Sequence, residues 1–179
     1  MSAARPCLAL YTFGIFSRPA DDPANDGFRE RNDPIFAAVD ATPGLIARSG
    51  YVTDPGPLSW GEQVHPRFFT DEHGDGWSPA TLSLWRDLEA AFAFTYFGRH
   101  AEAMARGREW FREPAWPPLV LWWHAEEGYP QWAEGVRRHQ LLHDHGPGPD
   151  AFTFARAYDP AGARVRIDKT RVRASAPPG

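Results

Sequence analysis

The stretch "ATLSLWRDLEAAFAFTYFGRHAEAMARGREWF", residues 80–111, decides how the chain is read. Its first six residues alternate at the period of a strand, and from Arg86 onward the apolar positions fall at helical spacing. Gly98 marks a break in that helix, and Pro114, Pro117 and Pro118 stop it. "LVLWWHA" at 119–125 is a nearly continuous apolar run, as expected of a strand buried on both faces.

Working outward, "CLALYTFGIF" (7–16) reads as a first strand and "LIARSGYVTD" (45–54) as a second. Between them "DGFRERNDPIFAAVDATPG" reads as a helix in two pieces, interrupted between Asn32 and Pro34. Downstream, "PQWAEGVRRHQLLHDHG" makes a further helix with Gly146 as its left-handed cap, and "AFTFARAY" a fifth strand. The fold class is therefore α+β, a ferredoxin-like β-α-β-β-α-β core with an extra helix and strand, whose antiparallel sheet carries its helices on one face. The other face needs a cover, which a second copy or a sheet curled around a cavity would supply. Residues 1–159 form one domain, and the basic, Pro- and Ala-ending tail 160–179 reads as a solvated edge or frayed terminus. Residues 55–79 have no period and are dense in Pro, Gly, Trp and Phe, as a lid would be.

A net charge of -4 gives no general attraction to nucleic acid or to an anionic membrane. No apolar run reaches eighteen residues and no leader segment is visible, so a cytoplasmic location is expected. The single cysteine, Cys7, excludes an intrachain disulfide framework. Eight Trp, twelve Phe and five Tyr suit a core, and equally a site for flat apolar molecules.

His100 stands on an apolar helical stripe with Tyr96, Phe97, Met104 and Phe111, and Arg108 lies two turns later on its flank. A histidine beside an apolar cavity stays neutral and accepts protons near physiological pH, and an arginine holds a developing anion. The competing account is an ordinary core histidine bonded to a backbone carbonyl. Strand period places Thr81, Ser83 and Trp85 together, and their hydroxyls and indole favour that face as the cavity wall over Ala80, Leu82 and Leu84. By the same argument Thr12, Val120, Trp122 and His124 face the cavity, and Leu119, Leu121 and Trp123 lie under helices. Trp110 completes the aromatic set. His139, His143 and His145 read as surface residues favoured by the helix C-terminus, and the acids and histidines of the 55–79 loop are too irregular for a metal centre.

Several pieces resemble a bacterial domain-of-unknown-function family of the dimeric α+β barrel superfamily, which includes antibiotic-biosynthesis monooxygenases. They are "LALYTFGIFSRPADDPAND", "SLWRDLEAAFAFTY", the His100, Arg108, Glu109, Trp110, Phe111 series, "LVLWW" and "HGPGPDAFTFARAY", together about Leu8 to Tyr158. The long 55–79 segment and His124 depart from typical members. The resemblance implies a homodimeric fold but no one reaction, since its wider relatives include cofactor-free monooxygenases, haem-degrading enzymes and cyclases. The expected function is a small-molecule enzyme acting on an apolar or aromatic substrate by cofactor-free oxygenation. His100 or His124 would be the base, Arg108, Trp85 and Trp122 would hold the anion, and Thr12, Ser83, Tyr96, Phe97 and Trp110 would contact substrate. Cyclisation or isomerisation in the same pocket, haem chemistry with His100 or His124 as axial ligand, and a non-enzymatic ligand-binding dimer are the alternatives.

Overall fold

The computed structural model describes residues 6–125 and 127–176. Its centre is a four-stranded antiparallel sheet of β1 (Cys7–Phe13), β2 (Leu45–Arg48), β3 (Ala80–Trp85) and β4 (Leu119–His124), in the order β2-β3-β1-β4. The apolar strands β1 and β4 pair along their length, and layers packed on both faces of the sheet leave most of their residues buried.

One face carries α1 (Asp26–Asp40) and α2 (Leu88–Tyr96), packed on Leu8, Leu10, Trp85, Leu119 and Leu121. Asp87 starts α2 by accepting the Ala90 amide at 2.9 Å, and the small residues Ala90 and Ala91 let the helix lie close to the sheet. The expected break is real: Phe97 is extended and Gly98 takes φ +63°, separating α2 from α3 (Gly98–Ala105). In α1 the expected interruption does not occur. Pro34 lies inside a continuous helix, and because Pro34 and Glu30 are both exposed, water can satisfy the carbonyl that loses its partner.

The opposite face is covered by the chain itself. The helix α4 (Trp132–His145) and the irregular segment 49–79 pack on Ala9, Tyr11, Phe13, Leu82, Val120 and Trp122. Gly135 permits the approach, since a Cβ there would stand 2.8 Å from the Tyr11 ring. The segment is pinned by Trp60 N to Ser49 Oγ at 2.9 Å, Tyr51 Oη to the Ala80 carbonyl at 2.7 Å, Trp132 Nε1 to Ser59 Oγ at 3.1 Å and Arg67 N to Gln140 Oε1 at 2.9 Å. Sheet-to-sheet packing with a second copy therefore has no bare face to use.

Two further expectations change at the C-terminal end. "AFTFARAY" does not join the sheet as a strand. Phe152 makes a single bridge to Leu121, and Ala157–Tyr158 (β5) pairs instead with Arg164–Val165 (β6) in a separate hairpin. The tail is not frayed over its described residues. Asp168 accepts the Thr170 and Arg171 amides and starts α5 (Lys169–Ser175), which lies along α2 with Val172 and Ser175 buried.

Candidate functional site

The sheet register separates the residues that period alone had grouped. Thr12 faces Thr81 and Leu119, and Leu8 faces Trp85 and Trp123, so Thr12, Thr81, Ser83 and Trp85 share the α2 face. Trp122 lies opposite Ala9 on the α4 face, where Val120 and His124 also belong. The hydroxyls do not line a cavity. Thr12 and Thr81 bond to each other at 2.7 Å, Ser83 accepts the Trp85 indole at 2.9 Å, and Trp85 stacks on Phe94 at 5.3 Å under α2. Polarity on that face is satisfied internally, which is why it misled the assignment of a wall.

His100 is a satisfied histidine on the core side of α3. Its ring lies 4.8 Å from that of Phe94, and Nδ1 donates to the Thr95 carbonyl at 3.0 Å. Burial pushes its pKa below the ordinary 6.5, partly offset by that bond. Arg108 is exposed on the 3-10 turn Gly107–Glu109 and makes no ion pair among the described residues, whereas Arg106 takes Glu109 at 2.7 Å. Trp110 is buried against Phe28 at 5.9 Å, with the Arg31 and Arg106 guanidinium groups over its ring. His124 is 7% exposed, donates from Nε2 to the Gly128 carbonyl at 3.3 Å, and has Nδ1 3.9 Å from Glu134. The structure brings no base, anion holder and aromatic wall together from this set. His100 Nδ1 and His124 Nε2 each bond a backbone carbonyl, which leaves one ring nitrogen on each without such a bond.

His139, read as a surface residue, is fully buried, and burial also lowers its pKa, partly offset by its bond to the Pro117 carbonyl. Because the folded chain holds His100 and His139 neutral, the unfolded chain takes up their protons first as the pH falls below 6.5. Stability is thus fully present above that pH and declines below it. Urea midpoints should be lower at pH 5.5 than at 7.5, and His139→Gln should flatten the dependence; an unchanged slope in that variant would remove His139 from the cause.

Of the expected set, only Phe97 lines an open site, with Tyr96 packed beside it. Both are 42% exposed, and Phe97 lines a groove of about 670 Å³ between the end of α2, the hairpin and α5. Phe92, Phe154, Val165, Ile167 and Val172 give the groove its apolar lining. Tyr96 packs on two of these rings, 4.6 Å from Phe92 and 5.7 Å from Phe154. The rim is basic: Arg164, Arg166, Lys169 and Arg173 line it, and among the described residues no acidic one does. Arg164 and Arg166 alternate outward on an extended segment while Val165 and Ile167 pack inward, and Lys169 and Arg173 are one turn apart on α5. None of the four forms an ion pair among the described residues. Arg171 on the same helix does, with Asp87 at 2.8 Å and Glu89 at 3.4 Å.

The basic character of the tail is plain in the sequence, but a tail read without structure gave these cations no groove to border. The signal available was the alternation R-V-R-I followed by an Asp cap and K-T-R-V-R, an extended segment leading into a helix with one apolar stripe. No helix of the described residues is long and apolar enough to cross a membrane, and no three potential metal ligands meet among them.

The sequence model of a family described as "Domain of unknown function (DUF3291)" matches residues 7–168. A solved structure, a protein of unknown function from Nitrosomonas europaea, is similar at 13% identity over 70% of this chain and 95% of that one, with a TM-score of 0.44. No curated protein matches the chain.

Proposed function

From the premise that this chain belongs to that family of unknown function, we propose that it binds an amphipathic small-molecule anion, an apolar or aromatic body bearing a carboxylate or similar group, in the groove between α2 and α5. The observation that carries the reading is the set of cations without acidic partners above an aromatic floor, in a chain whose net charge is -4. Exposed aromatic rings and unpaired like charges held side by side are both unfavourable in water, and one ligand class relieves both. The volume falls within the range of small-molecule sites.

The β2-β3-β1-β4 order, with α1 and α2 on one face, supports the ferredoxin-like plan. The barrel that the superfamily builds from two copies is a weaker fit, because α4 and 49–79 occupy the face such a pairing uses. A dimer of this protein would meet elsewhere on its surface. The ligand-binding reading takes precedence over cofactor-free oxygenation because His100, Arg108 and His124 stand apart.

Binding of matched pairs, an aromatic or medium-chain carboxylate against its neutral carboxamide, tests the proposal by calorimetry. The acid should bind at least tenfold more tightly, with a difference that shrinks as salt rises. Equal affinity for acid and amide would leave an apolar groove without a charge requirement and overturn the assignment.

A further inference from the structure

The covered face of the sheet holds a concentration of buried polar atoms without partners. Tyr11 Oη, His139 Nδ1, Trp116 Nε1, Trp122 Nε1 and His65 Nδ1 are all buried, and none has a hydrogen-bond partner among the described residues. Aromatic contacts connect four of these residues: Tyr11 to His139 at 5.5 Å, Phe13 to His139, His65 and Trp116 at 6.3, 6.3 and 5.7 Å, and Phe68 to His139 and Trp116 at 5.6 and 5.7 Å. Trp122 shares the same sheet face. Buried polar groups are almost always satisfied, so orphans in one aromatic cluster call for a partner that the described residues do not supply.

The chemistry of that guest follows from the tautomer. A carbonyl only accepts, so His139 Nε2, 2.6 Å from the Pro117 carbonyl, carries the proton, and neutral His139 turns a lone pair inward at Nδ1. Tyr11 is fully buried and can only donate or accept through Oη. Burial holds the phenol protonated and the imidazole neutral. The cluster thus offers a donor from Tyr11 and an acceptor from His139 on rings that meet edge to face.

We propose that this cluster is a second binding site, separate from the groove, which takes a hydroxyl group: its oxygen accepts from Tyr11 Oη and its proton is donated to His139 Nδ1. Water and a small hydroxylated aromatic share that chemistry. The walls of Phe13, Phe68 and Trp116 suit an aromatic body, and Phe68 and His65 lie on the 49–79 segment, so a guest of that size would enter by displacing this cover.

The test uses the full chain with 15N-labelled histidine, alongside the near-isosteric Tyr11→Phe. With the site as described, His139 Nδ1 resonates as a hydrogen-bonded acceptor in the wild type and moves toward the free lone-pair position in Tyr11→Phe, whose Tm falls by about 2–4 °C. Millimolar phenol and toluene then separate the sources. Phenol that raises the Tm of the wild type but not of the variant, while toluene does neither, identifies a hydroxylated aromatic, and no response to either, with the variant still destabilised, identifies water. A free lone pair in the wild type together with an unchanged or higher Tm in Tyr11→Phe would overturn the site, and the wild-type spectrum decides this even if the variant folds poorly.

Discussion

Trp132→Ala is expected to cost about 3–5 kcal/mol of stability and to loosen the cover over one face of the sheet. Trp132 is fully buried at the first turn of α4 and joins three parts of the chain. Its ring stacks on Tyr51 at 5.8 Å and meets Tyr11 edge-on at 6.3 Å, its indole donates to Ser59 Oγ at 3.1 Å, and its amide donates to the Trp60 carbonyl at 3.2 Å. Alanine keeps only the last of these. The lost ring leaves a cavity that Tyr11 and Tyr51 cannot fill, since the one is fixed in β1 and the other is tied to the Ala80 carbonyl. Urea unfolding measures the cost, and hydrogen exchange should show lost protection in 49–60 and α4 while α2 and β3 remain protected. A cost below about 1 kcal/mol would mean that the cover is held chiefly by its other contacts, such as Arg67 with Gln140 and Asp144.

The four strands of the sheet and the Gly98 break were legible because each rests on local physics: a run such as "LVLWW" must be buried on both faces, and a glycine between two apolar stripes permits φ +63°. What could not be read was register. Whether Ser83 shares a face with Trp122 depends on which residues of β1 lie opposite each, and the pattern of either strand alone does not contain that information. His100 and His139 show the same limit in the helices. Both lie on helices with an apolar side, and the decisive difference is which nitrogen meets a backbone carbonyl and what faces the other. That is set by Thr95 for His100 and, through a contact twenty-two residues distant in sequence, by Pro117 for His139. The cover over the α4 face was foreseeable in kind, as a lid. Its tie to α4 was not, because Ser59 and Gln140 carry no periodic signal.

Neutralising the groove rim two residues at a time is expected to lower affinity for an amphipathic carboxylate by roughly 30- to 100-fold, about 2–3 kcal/mol per double variant. The two natural pairs are Arg164→Gln with Arg166→Gln on the extended segment and Lys169→Gln with Arg173→Gln on α5. A charged hydrogen bond to a ligand is worth more than an exposed surface ion pair because the ligand's apolar body excludes water from one side of the contact. Stability should change little, since none of the four cations has an acidic partner among the described residues to lose. Arg171→Gln is the contrasting case. It removes the ion pairs to Asp87 and Glu89 that hold α5 to the start of α2, yet Arg171 does not line the groove. It should therefore lower Tm slightly and leave affinity within about threefold, the residue of long-range attraction at physiological salt. If Arg171→Gln weakened binding as much as the rim variants, the groove would be responding to total positive charge, and the four rim positions would have no special part in holding the anion.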